Sequence, residues 1–373
     1  MSSPDKVIAL DVAIIGGGSA GMALAARLEQ VSAVVFEPKT PAERDCSWAL
    51  WARPEQLQAL SPAVTGRWDR WRLIDNCGEV IHHSGEFCYT SLSAERYLQH
   101  CEDSLNDSVS LVRAPVESLI PEQGGGQINA AGQAYTASTI YDSRPPKSAD
   151  NSLCQHFIGW EIITTEPIDN ADIATLMDFR VDQSRGLHFI YVLPYSDRHL
   201  LVESTMISNQ PEEKDWYRHA IGQWLADRNI QIQSQLREEY GVISMAAVKP
   251  STTTIARIGA AGGSVRLSSG YAFSTIQTQM AALADTISAG ERKVPAAFSR
   301  RLVFMDKVFN RALNAQPDHG VTVFMAMAKS LNGEQFARFM LGRAGLKEWA
   351  KVIMAMPKWP FIVAALRQVF SHD

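Results

Sequence analysis

The hydrophobic pattern of the first forty residues is typical of alternating strands and helices. Residues 12–15 (VAII) are apolar without a polar interruption, as in a strand that is buried on both faces of a sheet. A glycine-rich turn, GGGSAG (16–21), separates this run from the helix-forming residues 22–28. A second apolar run, AVVFEP (33–38), follows the helix. The pattern predicts a strand–turn–helix–strand unit of a parallel sheet.

The glycines of the first turn have the spacing of a dinucleotide site. Gly16, Gly18 and Gly21 fit the pattern GxGxxG, and Glu37 ends the second strand. Such glycines let the backbone approach a pyrophosphate at the start of a helix, and the acid can accept a hydrogen bond from a ribose. A glycine turn without a ligand is the alternative. The strand–turn–helix context favours dinucleotide binding.

Four apolar or alternating runs between residues 155 and 205 predict successive antiparallel strands. They are FIGWEIITT (157–165), ATLMDFRV (174–181), LHFIYVLP (187–194) and HLLVEST (199–205). Bounded runs of this length, rich in β-branched and aromatic residues, favour sheet over helix. We expect this sheet to form a wall or floor of a pocket.

A second glycine-rich loop lies between a strand and a helix at residues 253–287, and it contains Gly259 and Gly263. A two-part dinucleotide such as FAD needs backbone donors for its far half as well, and such a loop can supply them. The fold predicted from these elements is an α/β protein: a Rossmann-type FAD-binding domain, a β-rich substrate domain and a helical C-terminal part.

The predicted FAD-binding domain is discontinuous. The predicted parts are an FAD-binding domain of residues 1–45, 104–150 and 253–290, a substrate domain of residues 46–103 and 151–252, and a helical region of residues 291–373.

Composition narrows the class of protein. The 373 residues carry a net charge of −5 and no long basic run, which argues against a nucleic-acid partner. The five cysteines include no CxxC pair, so we expect neither a disulfide framework nor a zinc site, and a reducing cytoplasm is favoured. His82 and His83 are adjacent and would face opposite ways on a strand, so no metal site is predicted.

The sequence predicts no membrane-spanning helix and no signal peptide. The apolar tail at 349–370 comes closest, but Lys351, Pro357, Lys358 and Pro360 interrupt it, and we expect two short helices there. Peripheral contact with a membrane is an open alternative, because Trp359, Phe361, Ile362 and Leu366 would give such helices an apolar face.

The chain resembles the lycopene cyclase family of flavoproteins, in ordered matches over nearly its whole length. The matching segments are IIGGGSAG (14–21), CSWALW (46–51), FIGWEI (157–162), MDFRVDQ (177–183), FIYVLPYSDRHLLVEST (189–205), LREEYGVI (236–243) and SSGYA (268–272). The resemblance implies a fold similar to that of FAD-dependent hydroxylases. It also implies cyclisation of an acyclic polyene end without net redox change, with FAD in its reduced form and NAD(P)H as the reductant.

Glu203 is the candidate acid of this reaction. It stands in the apolar run LLVESTMIS (200–208), where a carboxyl group is costly unless it is paired, exposed or neutral. From the residues alone an exposed strand-end carboxylate is favoured. The resemblance instead implies that Glu203 matches the first acid of the family's acid–acid–threonine run, with Ser204 in the place of the second. Asp178 either holds the proton of Glu203, stabilises a cation, or caps a strand turn.

The remaining candidate residues fall into two groups. Beside Glu37, we expect the cofactor to be held by Gly16, Gly18, Gly21, Gly259, Gly263 and Gly270. We expect the substrate pocket to be lined by Trp48, Trp51, Tyr191, Ser204, Thr205 and Tyr271, although Trp48 and Trp51 would serve equally well as core aromatics.

Two alternatives to a cyclase stay open. One is an FAD-dependent monooxygenase or reductase that acts on a hydrophobic substrate, and the other is a flavin-binding homologue without catalysis. The expected partner is a hydrophobic polyene or terpenoid substrate, and the expected location is the cytoplasm, with or without peripheral membrane contact.

Overall fold

Three β-sheets and a set of helices make up the fold in the computed structural model, which describes residues 7–123, 125–146, 152–248 and 254–370. The strands of these residues are β1 Ile8–Ile15, β2 Ala33–Phe36, β3 Ser47–Ala52, β4 Val64–Trp68, β5 Arg70–Asp75, β6 Gly78–His83, β7 Cys88–Ser93, β8 Val109–Val112, β9 Val116–Glu122, β10 Gly125–Ala130, β11 Gln133–Asp142, β12 Cys154–Thr164, β13 Ile173–Asp178, β14 Leu187–Pro194, β15 His199–Ser208, β16 Ile232–Ser244 and β17 Ala256–Arg257. The α-helices are α1 Ser19–Ala25, α2 Pro54–Leu60, α3 Ala94–Asp103, α4 Lys214–Ala226, α5 Phe273–Ser288, α6 Arg300–Ala315, α7 Gly320–Ser330, α8 Gly333–Met340, α9 Leu346–Ala355 and α10 Lys358–Phe370.

The first sheet, which we call the parallel sheet, is built around β1. Strands β8, β2, β1 and β11 lie side by side and run parallel, β17 adds a short parallel pairing to β11, and β10 and β9 continue the sheet antiparallel. The apolar run at 12–15 is fully buried because helices α1 and α5 cover one face and β9–β11 side chains cover the other. The predicted strand–turn–helix–strand unit is therefore present, and β11 returns beside β1.

The second sheet, which we call the floor sheet, has the strand order β16-β12-β15-β14-β13-β5-β6. All four runs predicted between residues 155 and 205 form strands in it. Strands β13, β14 and β15 are successive antiparallel neighbours, as expected. Strand β12, however, pairs with β15 and β16 rather than with β13, which instead pairs in parallel with β5.

Both faces of the floor sheet are buried along its central strands β14 and β15. One face packs on α4 through apolar residues that include Ile158, Val202 and Ile221, and we call it the α4 face. The other packs on the C-terminal helices α7, α8 and α9, and we call it the cavity face. Successive residues of β15 point to opposite faces of the sheet, so each side chain lies either on the α4 face or on the cavity face.

The segment 46–103 is divided between the two halves of the molecule. Strands β3, β7 and β4 form a small antiparallel sheet, and α3 packs on α1 in the same core as the parallel sheet. Strands β5 and β6 instead extend the floor sheet. The sequence assigned this whole segment to the substrate domain, whereas its packing joins both parts. The domain boundaries stay a prediction.

The C-terminal region is helical, as predicted, and ends in a bent pair of helices. Helix α10 packs on α6, and the axes of α9 and α10 differ by 118°. Among the described residues no single helix is long and apolar enough to cross a membrane, although this bent pair reaches that length and composition together. The exposed apolar side chains of the pair are Leu346, Ile353, Met354, Trp359, Ile362, Leu366, Val369 and Phe370.

Candidate active site

A cavity of about 1150 Å³ lies between the floor sheet, the small sheet and the C-terminal helices. It extends from Ser19, at the start of α1, past Gly263 to Glu203 on the floor sheet. Ligand pockets commonly measure roughly 300–1,000 Å³, so this one has room for a large cofactor or a long substrate. Its far end is apolar, with Phe324 and Met327 of α7 among the lining residues.

The first glycine turn is shaped so that several of its positions, Gly16 and Gly21 among them, accommodate only glycine. Gly16 has a φ of +94°, and a Cβ on Gly21 would lie 1.9 Å from the Gly16 carbonyl oxygen. Gly18 differs, because its backbone is extended and a Cβ there would meet no atom within 4 Å. Gly16 and Gly21 thus close the turn on α1, while Gly18 faces open space.

Glu37 holds this turn from the end of β2. Its Oε2 accepts a hydrogen bond from the Gly17 amide at 2.7 Å and forms an ion pair with Arg44 at 2.8 Å. Its Oε1 accepts the Lys39 amide at 2.9 Å. A carboxylate has about four acceptor sites, so one is left for a further donor. Glu37 itself does not line the cavity.

The second glycine-rich loop brings its glycines toward the same cavity. Gly259 has a φ of +64°, and a Cβ there would lie 2.5 Å from the Ala20 side chain, so the loop packs on α1. Gly263 and Gly270 also have positive φ values, and both line the cavity. A Cβ on Gly263 would meet nothing within 4 Å. Gly18 and Gly263 are therefore open backbone positions on the two loops.

Glu203 lies on the cavity face of β15 with its side chain buried. It is paired with Tyr191 on β14 and with Gly159 on β12, and Gly159 in turn faces Glu239 on β16. A Cβ on Gly159 would lie 2.7 Å from Glu203 Cγ and 3.2 Å from Glu239 Cγ. The two acids therefore approach each other over a strand position that only glycine leaves empty.

The two acids have different surroundings. Burial, and then the neighbouring carboxylate of Glu239, raise the pKa of Glu203 well above the usual value of a glutamate. Glu239 Oε2 is held by the Arg237 guanidinium at 2.8 Å and by the Ser47 amide at 3.1 Å. Glu203 has no such donors among the described residues, so of the two acids it is the one that more readily keeps a proton.

Aromatic side chains surround the acid on the cavity side. The Tyr89 hydroxyl lies 2.9 Å from that of Tyr191 and 2.7 Å from that of Tyr271. The ring of Trp51 lies 4.7 Å from the Tyr89 ring and 5.1 Å from the Tyr271 ring, measured between centroids. Burial raises the pKa of all three tyrosines, so they stay neutral. Trp48 also lines the cavity, stacked on Phe273.

Thr205 lies two residues after Glu203 and faces the same cavity. Its hydroxyl is buried, and no donor or acceptor partner is found for it among the residues that the structure describes.

Ser204 does not face the cavity, which corrects its predicted place in the substrate pocket. Neighbouring strand residues point to opposite faces, so Ser204 lies on the α4 face, where its hydroxyl meets His188 Nε2 at 2.9 Å. Burial lowers the pKa of this histidine to about 4, which keeps it neutral. A carboxyl group at position 204 would have pointed away from Glu203.

Asp178 is also on the α4 face and is not brought together with Glu203. Its carboxylate accepts hydrogen bonds from Arg180, Trp224 and Arg228 at 2.7–3.2 Å. Burial alone would raise the pKa of Asp178, but the bonds from Arg180 and Trp224 and the charge of Arg228 lower it below the usual value. Asp178 ties β13 to α4 as an ionised group, and this geometry does not support either of its predicted roles in the reaction.

Comparison with known proteins identifies the family. A family model described as lycopene cyclase protein matches residues 11–366. The chain belongs to the lycopene cyclase family. The resemblance inferred from its motifs is confirmed, and with it the prediction of an enzyme of this type. The lycopene beta-cyclase of Pseudescherichia vulneris is 24% identical over 387 aligned positions, which cover 97% of this chain and 97% of the relative.

Solved structures of other proteins share the fold at low sequence identity. A geranylgeranyl bacteriochlorophyll reductase-like protein from Thermoplasma acidophilum superposes with a TM-score of 0.63 and 14% identity, over 98% of this chain and 100% of that one. The halogenase PltM, solved with phloroglucinol and FAD, gives a TM-score of 0.58 and 12% identity, over 94% of this chain and 87% of that one. The predicted fold class is confirmed.

Sequence reasoning missed Gly159, Glu239, Arg237 and Tyr89. The first three stand inside segments that carry the family resemblance, FIGWEI and LREEYGVI, but no local pattern shows that β12 lies between β15 and β16. Tyr89 lies on β7, in a segment that was not connected with the site. In the described ranges no group of three or more His, Cys, Asp or Glu residues is placed to hold a metal ion.

We predict that Asp178→Asn lowers the free energy of unfolding by about 2 kcal/mol and spares turnover, because it leaves two arginines facing a neutral side chain. This cost is at the low end for a broken buried pair because Arg180 is partly exposed. Urea denaturation measures it. Asp172→Asn, which removes an exposed ion pair with Arg70 on the same sheet, is the control and should cost under about 1 kcal/mol. Unchanged stability together with lost turnover would return Asp178 to the reaction.

Proposed function

We propose that this chain is an FAD-dependent cyclase that closes a ring on the end of an acyclic carotenoid, lycopene or a related olefin, without net redox change. The observation that carries the proposal is the position of Glu203: a protonated, buried carboxyl group that opens into an aromatic cavity. The lycopene beta-cyclase relatives support the choice of substrate class.

The described residues suit FAD. The first glycine turn and the loop around Gly263 would hold it, since Gly18 and Gly263 leave open backbone positions and the cavity runs continuously from Ser19 to Glu203. The spare acceptor site of Glu37 suits a ribose hydroxyl. When bound in its reduced form, with NAD(P)H as the reductant, FAD supplies a negative charge that stabilises a nearby cation.

Glu203 begins the reaction by giving its proton to the terminal carbon–carbon double bond of the substrate. Carbon is a poor base, so the acid must be neutral and water must be absent, and burial satisfies both conditions. The resulting cation is attacked by a second double bond of the same chain, which closes the ring. The ring then loses a proton to the Glu203 carboxylate. One proton enters and one leaves, so no electrons are transferred.

The aromatic side chains protect the intermediate cation. Trp51, Tyr89, Tyr191 and Tyr271 present ring faces and edges close to Glu203, and aromatic faces attract cations without reacting as bases. The hydrogen bonds among the three tyrosine hydroxyls engage the Tyr89 hydroxyl with both Tyr191 and Tyr271. This arrangement limits capture of the cation by an oxygen nucleophile.

We also propose that the bent helix pair α9–α10 contacts the membrane in which such a substrate dissolves. Met354 and Trp359 are 76% and 71% exposed, and together with Ile362, Leu366 and Phe370 they give the pair an apolar surface. Phe361, which was expected on the apolar face, and Lys358, which interrupts the apolar tail, make contacts within the protein instead. Lys358 donates to the carbonyl oxygens at the end of α9, and Phe361 packs on Phe309.

We predict that Gly18→Val folds normally but binds no FAD. The protein alone has space for the new side chain, because a Cβ at this position meets no atom within 4 Å. A pyrophosphate bound at this turn would collide with that side chain. Flavin absorbance of the purified protein and its melting temperature are the measurements. Gly21→Ala is the matched control, because its Cβ would collide with the Gly16 carbonyl oxygen and lower stability itself. A folded Gly18→Val protein that carries stoichiometric FAD would contradict the prediction.

We predict that Glu203→Gln lowers turnover by roughly a hundredfold or more while fold and FAD content are kept, since it removes the acid without changing its shape. The assay is anaerobic conversion of lycopene with reduced FAD, followed by chromatography. Ser204→Ala is the control and should lower turnover only slightly, because the Ser204 side chain is on the α4 face.

Other products would indicate the alternative functions. An oxidised or reduced product with stoichiometric NAD(P)H consumption would indicate a monooxygenase or reductase. If the polyene is unchanged, the result would indicate a flavin-binding protein without catalysis. Near-wild-type turnover of folded, FAD-loaded Glu203→Gln would exclude Glu203 as the acid.

We predict that the double variant Met354→Glu, Trp359→Glu floats less with phosphatidylcholine–phosphatidylglycerol vesicles than the unmodified chain does. Two charges placed at these exposed positions oppose insertion without disturbing the core. Ile120→Glu, at an exposed apolar residue of β9, is the control and should leave flotation unchanged. Equal flotation of all three proteins would contradict membrane contact through α9–α10.

A further inference from the structure

The acid of the proposed reaction has a partner on another strand, outside the cavity. Glu239 is buried and does not line the cavity, so it does not touch the substrate directly. Its carboxylate reaches the side of Glu203 across β12, in the space above Gly159. Two carboxyl groups this close cannot both ionise without a large electrostatic penalty.

The structure determines which of the two carries the charge. The Glu239 carboxylate accepts hydrogen bonds from the Arg237 guanidinium and from the backbone N–H of Ser47, and both of these groups can only donate. Arg237 is itself fixed by bonds to Glu161 and to the Ser47 hydroxyl. Glu203 has no cation of its own within salt-bridge distance among the described residues. The asymmetry leaves the shared proton on Glu203.

We propose that Glu239 is a positioning residue that keeps the transferable proton on Glu203, with its own carboxylate bonded by Arg237 and Ser47 and given access to Glu203 by Gly159. This inference deepens the proposed function and rests on it. After Glu203 has protonated the substrate, two carboxylates face each other across Gly159. Their repulsion favours return of a proton to Glu203, which completes the cycle.

The groups that face Glu203 from every packed element are few. Glu239 and Arg237 face it from β16, Tyr191 faces it from β14, and Tyr271 faces it from the loop before α5. The pKa values of both tyrosines are raised, mainly by burial, so neither titrates in the working range. The charge next to Glu203 is thus set by Glu239 and Arg237.

Glu239→Gln provides the test, because it keeps the shape and removes the negative charge. The pKa of Glu203 should fall by about one unit or more, the usual effect of one neighbouring charge. Cyclisation requires protonated Glu203, so it is lost as the pH rises through that pKa. In the variant this loss should begin at lower pH by the same amount. At acidic pH, where Glu203 is protonated in both proteins, turnover should agree within roughly tenfold.

A readout without substrate separates this inference from the proposed function. Infrared difference titration detects the carbonyl band of a protonated carboxylic acid, and the band that disappears in Glu203→Gln belongs to Glu203. In Glu239→Gln that band should vanish at lower pH than in the unmodified chain. If it does so in a protein that cyclises nothing, the coupling stands and the cyclase function fails. If Glu203→Gln abolishes cyclisation but the band does not move in Glu239→Gln, the coupling is wrong and the function stands.

Two further variants distinguish the acid pair from general damage to β16. Gly159→Ala places a Cβ between the acids and should shift the band and the pH profile in the same direction as Glu239→Gln, with both carboxyl groups intact. Glu238→Gln changes the neighbouring residue, whose carboxylate bonds Arg218 and Trp160 and not Arg237. It should change neither the infrared band nor the pH profile. A shift in Glu238→Gln equal to that in Glu239→Gln would overturn the proposal.

Discussion

The floor sheet is buried on both faces at its central strands, and the alternation of side chains along β15 decides which chemistry each face receives. Glu203 and Thr205 point into the cavity, while Ser204 points to α4 and meets His188. A one-residue slip of the strand would exchange the two sets. The long pairings of β15 with β12 and β14 prevent this, because each continues without a bulge from one end of the strand to the other. The proposed acid is therefore placed by the register of the sheet.

This arrangement also explains which parts of the site can be foreseen from the sequence. The glycine turn is largely a local pattern, since a Cβ on Gly21 would meet the carbonyl oxygen of Gly16 five positions earlier, although Ser143 just after β11 also lies close to both glycines. The strands of the floor sheet are equally local. The order of those strands, in contrast, depends on contacts between residues that are far apart in the chain. Gly159 and Glu239 are 80 positions apart in the numbering, yet they are direct partners on the adjacent strands β12 and β16. Only the register reveals them.

The same reasoning explains why Asp178 was a plausible but misplaced candidate. Both Asp178 and Glu203 are acids within apolar runs, and such runs are alike in sequence whether the acid is neutral or ionised. The difference lies in the partners. Asp178 is surrounded by three donors, two of them arginines, and is stable as an anion inside the protein. Glu203 faces another carboxylate and an aromatic wall, and burial together with that carboxylate raises its pKa. Burial alone does not separate the two cases, whereas the sign of the neighbouring charge does.

The proposed chemistry sets opposing demands on the acid, and the acid pair offers a way to meet them. A carboxyl group with a high pKa is certain to be protonated, but it is a weaker donor to carbon. A stronger acid would protonate the olefin more readily but would be ionised before the substrate arrived. In the pair, the charge on Glu239 secures the proton in the resting protein and makes Glu203 a better base once the proton has gone. The cation exists between these two states, when Glu203 and Glu239 are both negative and the aromatic rings lie close by. The site is then most negative when the substrate is most positive, which is the electrostatic complementarity that a carbocation intermediate requires.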